Sequence, residues 1–163
     1  MFARDLVLYG VNQKYLQSLV SGISTQEAKI QPMPGLNTPF WITGHLAIST
    51  DYARQLLGEE LKCPPAWHKA FGPGSIPGNE QNITASLEEL LAAVQAGHVA
   101  ITTLLPSVNE AWAAQPNPVE FLVKNYPSTG DLMAHLLTTH EAIHLGQLSA
   151  WRRFRGLPAV SIG

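Results

Sequence analysis

A chain of 163 residues, 45% hydrophobic and 13% charged, with a net charge of −2 and an isoelectric point near 6.3, is long enough for one domain with a sizeable core. Its charged fraction is about half the roughly 25% usual in soluble domains, so part of the surface is expected to be covered by a second copy, in a homodimer. The few Lys and Arg are scattered until the last helix, which argues against a nucleic-acid partner; no signal-like segment and no unbroken run of ~20 apolar residues is visible, so no membrane span is expected and the cytoplasm is the expected location.

From Phe2 to about Val20, the residues Leu6, Tyr9, Leu16 and Leu19 recur at helical spacing, with Gln13 and Lys14 on the polar side. Ser24-Thr25-Gln26-Glu27 has the form of a capping box for a short turn, and Pro32, Pro34 and Gly35 then interrupt the chain. Asn37 or Thr38 as N-cap, with Pro39 at the first helical position, starts a second helix whose inward stripe reads Trp41, His45, Ile48, Tyr52 and Leu56, ending at Gly58. Residues 58–83 carry seven Pro and Gly at positions 64, 65, 72, 73, 74, 77 and 78 beyond Gly58 itself and are expected to form one long loop. The single cysteine, Cys63, is expected there as an ordinary exposed thiol rather than a nucleophile.

Thr84 or Ser86, the latter boxed with Glu89, opens a third helix with the stripe Leu87, Leu90, Leu91, Val94, His98, Ile101 and Leu105, stopped by Pro106. Ser107-Val108-Asn109-Glu110 is a second short capped turn, followed by Pro116, Pro118 and Pro127. Ser128 with Asp131 opens the last long helix, whose stripe reads Leu132, Leu136, His140, Ile143, His144, Gln147, Trp151 and Phe154 before Gly156 and Pro158 close it. No segment alternates with period two over a useful length. The expected fold is therefore all-α: a single domain over 1–163, a four-helix bundle in up-down-down-up order with its long crossover between the second and third long helices.

The chemistry gathers at His140-Glu141-Ala142-Ile143-His144. Two imidazoles four residues apart share one helix face, close enough to bind one metal ion at about 2.0–2.1 Å each. The His-Glu-x-x-His pattern of zinc proteases needs a further ligand downstream, yet residues 145–163 contain no His, Asp, Glu or Cys. A third ligand must lie upstream, at a metal-binding residue standing where the helical pattern calls for an apolar one. His45 and His98 both meet that condition; His68 in the loop and His135, on another face of its helix, fit less well.

Trp41-Ile42-Thr43-Gly44-His45-Leu46-Ala47, together with His140-x-x-x-His144-x-Gly146-Gln147, resembles the DinB/YfiT-like superfamily of metal-binding four-helix bundles, along nearly the whole chain. The resemblance implies that His45, His140 and His144 hold a divalent ion, commonly zinc or nickel. It implies a metal-dependent enzyme acting on a small-molecule substrate, with two leading reactions: transfer of a low-molecular-weight thiol such as mycothiol or bacillithiol, or metal-activated hydrolysis. Glu141, about 100° from His140 on a helix, is either the catalytic general base or, more simply, a solvated surface acid. Ser49, Tyr52 and His98 are expected to line the substrate pocket, Gln147 to orient one histidine, and Gly146 to allow close helix approach. Arg152, Arg153 and Arg155 are expected to complement the helix C-terminus rather than bind an anion. The alternative is a non-catalytic metal-binding stress or interaction module. An open cavity reaching the histidines favours the enzyme, and histidines sealed under Trp41 and Trp151 favour the module.

Overall fold

The computed structural model describes residues 1–78, 80 and 82–162. Its regular structure is helical: α1 (Ala3–Val20), α2 (Thr25–Ala28), α3 (Pro39–Leu56), α4 (Pro65–Phe71), α5 (Leu87–Leu104), α6 (Glu110–Ala113) and α7 over residues 129–154. Within α7, Thr129–His135 and Glu141–Phe154 are α-helical and Leu136–His140 between them is π-helical. Among the described residues no strand forms, and one isolated bridge pairs Pro116 with Ser128.

Local chemistry explains where the helices begin. Ser24, Ser86 and Ser128 each accept from the N3 backbone N–H while Glu27, Glu89 and Asp131 reach back to the N-cap N–H. Thr38 accepts from the Trp41 N–H ahead of Pro39, whose missing N–H costs nothing at the first helical position. At the exit of α3, Gly58 takes a φ of 91°, which a side chain would oppose.

One element differs from expectation. The stretch 58–83 is not a single loop, because Pro65–Phe71 folds into the two-turn helix α4. Pro65 sits at the start of α4, and Trp67 and Phe71, four residues apart, turn toward the core, with Phe71 fully buried. Its proline- and glycine-rich flanks hide a helix held mainly by what it packs against. The contact is with α3 at Gly44: a Cβ built there would stand 2.6 Å from the Phe71 ring, so only glycine lets α4 sit this close beside His45.

The long helices pack α1 on α5 and α7, and α3 on α5 and α7. At one end, the Leu87 N–H donates to Thr25 Oγ1, the Arg152 guanidinium donates to the Leu19 and Ser21 carbonyls, and Trp151 Nε1–H donates to the Ile30 carbonyl. At the other end, Phe2 meets the Trp112 ring edge to face, and Trp112 Nε1–H donates to the Leu56 carbonyl. Arg152, in the last turn of its own helix as expected, thus also binds the carbonyls at the C-terminus of α1. By length and composition Leu87–Ser107 would suffice to cross a membrane; here Leu87, Leu90, Val94, His98 and Ile101 are buried against neighbouring helices.

The buried face of α7 also departs from the expected stripe. Leu137, Glu141, His144, Leu145, Leu148, Trp151 and Arg152 are buried, whereas Ile143 and Phe154 are exposed. Two core positions are held by charged residue types, which apolar periodicity does not count. Gly146, expected to allow close approach, faces open space.

Candidate metal centre

His45 stands in the middle of α3, and His140 and His144 flank the junction where the π-helical segment of α7 returns to α-helix. A π segment leaves carbonyl oxygens without their usual donors. Here Asn12 of α1 donates from Nδ2 to the Leu137 and Thr138 carbonyls at 3.3 Å each, the latter also accepting from the Glu141 N–H.

The three rings converge. His45 Nε2 lies 3.0 Å from His140 Nε2, the ring centroids of the trio are 4.7–5.0 Å apart, and one ligand nitrogen from each lies within 4.8 Å of the others. Tautomers follow from the partners. The Phe71 carbonyl can only accept, so His45 Nδ1 carries the proton it donates there, at 2.6 Å, and Nε2 keeps its lone pair. His144 Nδ1–H donates likewise to Gln147 Oε1 at 3.1 Å, and that oxygen also accepts from Asn37 Nδ2. Trp41 stacks on the His45 ring at 4.7 Å, its indole N–H donating to Ser75 Oγ.

Electrostatics keep the trio neutral. Burial, reinforced by the other histidines, pushes His140 down to about 2, and burial with the nearby His45 pushes His144 down to about 4. Burial lowers His45 as well, against the opposing pull of the Phe71 carbonyl. Neutral imidazole is the form that binds metal. Three neutral donors on converging nitrogens, two with the far nitrogen already committed to an acceptor, fit a divalent cation. His140 is the exception: its Nδ1 is buried with no protein partner.

A cavity of about 770 Å³ opens on this cluster. His45 and His140 form part of its wall, with Ser49 and Tyr52 from α3, His68 from α4, His135 from α7 and the segment 118–122 across from them. Ser49 and Tyr52, expected to line a pocket, are both in the wall of this cavity. Burial raises Tyr52, keeping its phenol protonated. His68 Nε2–H donates to the buried Asp51 carboxylate at 3.1 Å, and His135 stacks on Tyr126. Neither drew notice as a wall residue in sequence, because their nearness to the cluster depends on α4 and on the 118–126 segment.

Two expected site residues lie elsewhere. His98 does not reach the large cavity; it is buried in the core, stacked on Tyr9 at 3.5 Å, and donates from Nε2 to Glu141 Oε1 at 2.7 Å. Glu141 is neither a solvated acid nor a wall of the large cavity: it is 3% exposed and turned toward α1 and α5. Burial raises its pKa, opposed by His98 and Asn12. Both departures have one cause, since Glu141 occupies a core position of α7 and needs the buried partner that His98 provides. Cys63 is half-buried rather than exposed, and burial and the Asp51 carboxylate push its thiol up to about 12, which disfavours the thiolate.

A family model described as the DinB superfamily matches residues 9–148. The chain belongs to the DinB superfamily. A comparison with curated proteins and another with solved structures returned no match. The DinB match takes in His45, His140 and His144, and this three-histidine cluster is compatible with a divalent-metal site.

Proposed function

We propose that this DinB-superfamily chain is a divalent-metal-dependent enzyme whose His45, His140 and His144 hold zinc or nickel. The observation that carries the reading is the cavity of about 770 Å³ with His45 and His140 in its wall. A purely structural site closes its coordination and needs no access. A divalent ion held by three neutral imidazoles supplies a Lewis-acid position that lowers the pKa of a thiol or of water.

The reaction we favour is transfer of a low-molecular-weight thiol to a small, largely apolar electrophile, with hydrolysis of such a molecule as the second reading. Ile48, Leu132, Leu136, Val119 and Phe121 give the substrate an apolar bed. Tyr52 stays protonated and can donate to a substrate oxygen. Ser49 spends its hydroxyl hydrogen on the His45 carbonyl and is left an acceptor. Among the described residues the cavity wall includes no Lys or Arg and one acid, Glu120, which favours neutral substrates and a thiol without clustered carboxylates.

As to architecture, we propose a four-helix bundle in up-down-down-up order. Its support is that the end of α1, the starts of α2 and α5 and the end of α7 meet at one pole, while the start of α1 and the ends of α3 and α5 meet at the other. The exposed Val7, Leu8 and Val11 on α1, with the low charge of the chain, support a homodimer.

Zinc- or nickel-loaded protein is to be assayed with a panel of bacterial thiols against an aromatic electrophile, and with a panel of esters and amides. Metal-dependent thiol consumption, lost on chelation and restored by adding the ion back, is the expected result. Hydrolysis without thiol would select the second reading. A protein that binds metal yet turns over neither panel would favour the stress or interaction module.

A further inference from the structure

A second cavity of about 10 Å³ adjoins the histidine cluster at His140 and shares Ser49 and Leu136 with the large one; its wall also includes Tyr9, Thr50, Leu137 and Glu141. That volume is about one water molecule's. Among the described residues four buried side-chain atoms lack a hydrogen-bond partner, and three of them belong to residues of this one wall: Tyr9 Oη, His140 Nδ1 and Glu141 Oε2. A buried polar atom left unpaired loses its bonds to water and gains nothing in return, so a common partner is called for.

We infer that this cavity holds one water molecule that links Glu141 to His140 Nδ1, making Glu141 a positioning residue for the metal ligand His140. The inference rests on the three-histidine reading proposed above. Asn12, which also faces Glu141, gives its amide hydrogens to the Leu137 and Thr138 carbonyls, and the remaining donors and acceptors can be paired through one water. The water accepts from His140 Nδ1–H and from the Tyr9 phenol, and donates to Glu141 Oε2. Its second hydrogen goes to the Ser49 or Thr50 hydroxyl oxygen, whose own hydrogens are already given to the His45 and Ala47 carbonyls. His140 then has its Nδ1–H held and its Nε2 lone pair turned to the ion. His45 is held in the same way by Phe71 and His144 by Gln147. The other carboxylate oxygen of Glu141 is fixed by His98, which is itself stacked on Tyr9. The Tyr9–His98–Glu141 cluster is thereby the support of the third ligand, and this accounts for an acid and an imidazole in the core.

A crystal structure of the zinc-loaded full chain at high resolution decides the water directly. Density within hydrogen-bond distance of Tyr9 Oη, His140 Nδ1 and Glu141 Oε2 is expected; a dry cavity, or His140 Nδ1 bonded to another group, overturns the inference. Zinc affinity by chelator competition tests the role. Glu141→Gln is expected to weaken zinc binding by roughly 10–100-fold and to shift the visible absorption of the cobalt-substituted protein, which a merely structural carboxylate would leave unchanged. Tyr9→Phe, which removes one of four partners of the water, is expected to weaken zinc binding less. Glu141→Gln protein that folds and binds zinc as tightly as wild type sinks the inference while leaving the metal site standing. Wild-type protein that binds no zinc or nickel sinks the function proposed above instead. Should Glu141→Gln fail to fold, the wild-type crystal structure still decides.

Discussion

Burial sets the proton count of the three imidazoles as well as their position. An unfolded histidine titrates near 6.5, while in the fold His144 is held down to about 4 and His140 to about 2. Between pH 6.5 and 4 the unfolded chain therefore takes up protons that the folded chain refuses, and stability falls as pH falls, by up to about 1.4 kcal/mol per pH unit for each such group. Glu141, raised by burial, opposes this in part, because its folded form takes up a proton ahead of the unfolded one. The metal-free protein should show a urea midpoint that drops steadily from pH 7 to pH 5; a flat profile would mean that the rings are solvated. At this scale the metal-binding residue types were plain in the sequence, since His140 and His144 sit four apart and His45 stands at a core position. The environment of Glu141 was not legible. A glutamate on a helix face is written the same way whether it meets water or an imidazole, and only the packing of α5 and α1 on α7 brings His98 to it.

Helix starts were readable because a cap is local: Ser24, Thr38, Ser86 and Ser128 bond within three residues of themselves. The two elements that shape the site were not. The π-helical segment Leu136–His140 is stabilised by Asn12, 125 residues from Leu137 in the chain, and α4 by a ring seated on Gly44. Two α7 and α3 glycines make a controlled comparison of such contacts. Gly146→Ala adds a methyl in open space within a helix and should be neutral or stabilising by up to about 1 kcal/mol. Gly44→Ala drives the same methyl into the Phe71 ring and should destabilise by about 1–3 kcal/mol. Because the Phe71 carbonyl holds His45 Nδ1, the Gly44 variant should also bind zinc more weakly, and the Gly146 variant should not. Equal thermal stability and equal zinc affinity in the two variants would remove the role given to the α3–α4 contact.

For the molecule as a whole, the order of long helices could be read from capping and periodicity, whereas the cavity could not, since its walls come from α3, α4, the 118–122 segment and α7 at once. The same distribution predicts how metal acts on the fold. His45 and His140 are 95 residues apart, so an ion shared between them ties α3 to α7 across most of the chain. A ligand that binds only the folded form stabilises it by about 4 kcal/mol when present at a thousandfold excess over its Kd. For a chain of 150–250 residues each kcal/mol moves Tm by about 2–4 °C, so stripping the ion should lower Tm by roughly 8–16 °C. His144→Ala supplies the control. It should bind less than one ion per chain by elemental analysis, and its Tm should no longer respond to added zinc or to chelator. Binding of zinc to the alanine variant at full stoichiometry, with the Tm response intact, would show that His144 is no ligand and that the ion, if any, is held elsewhere.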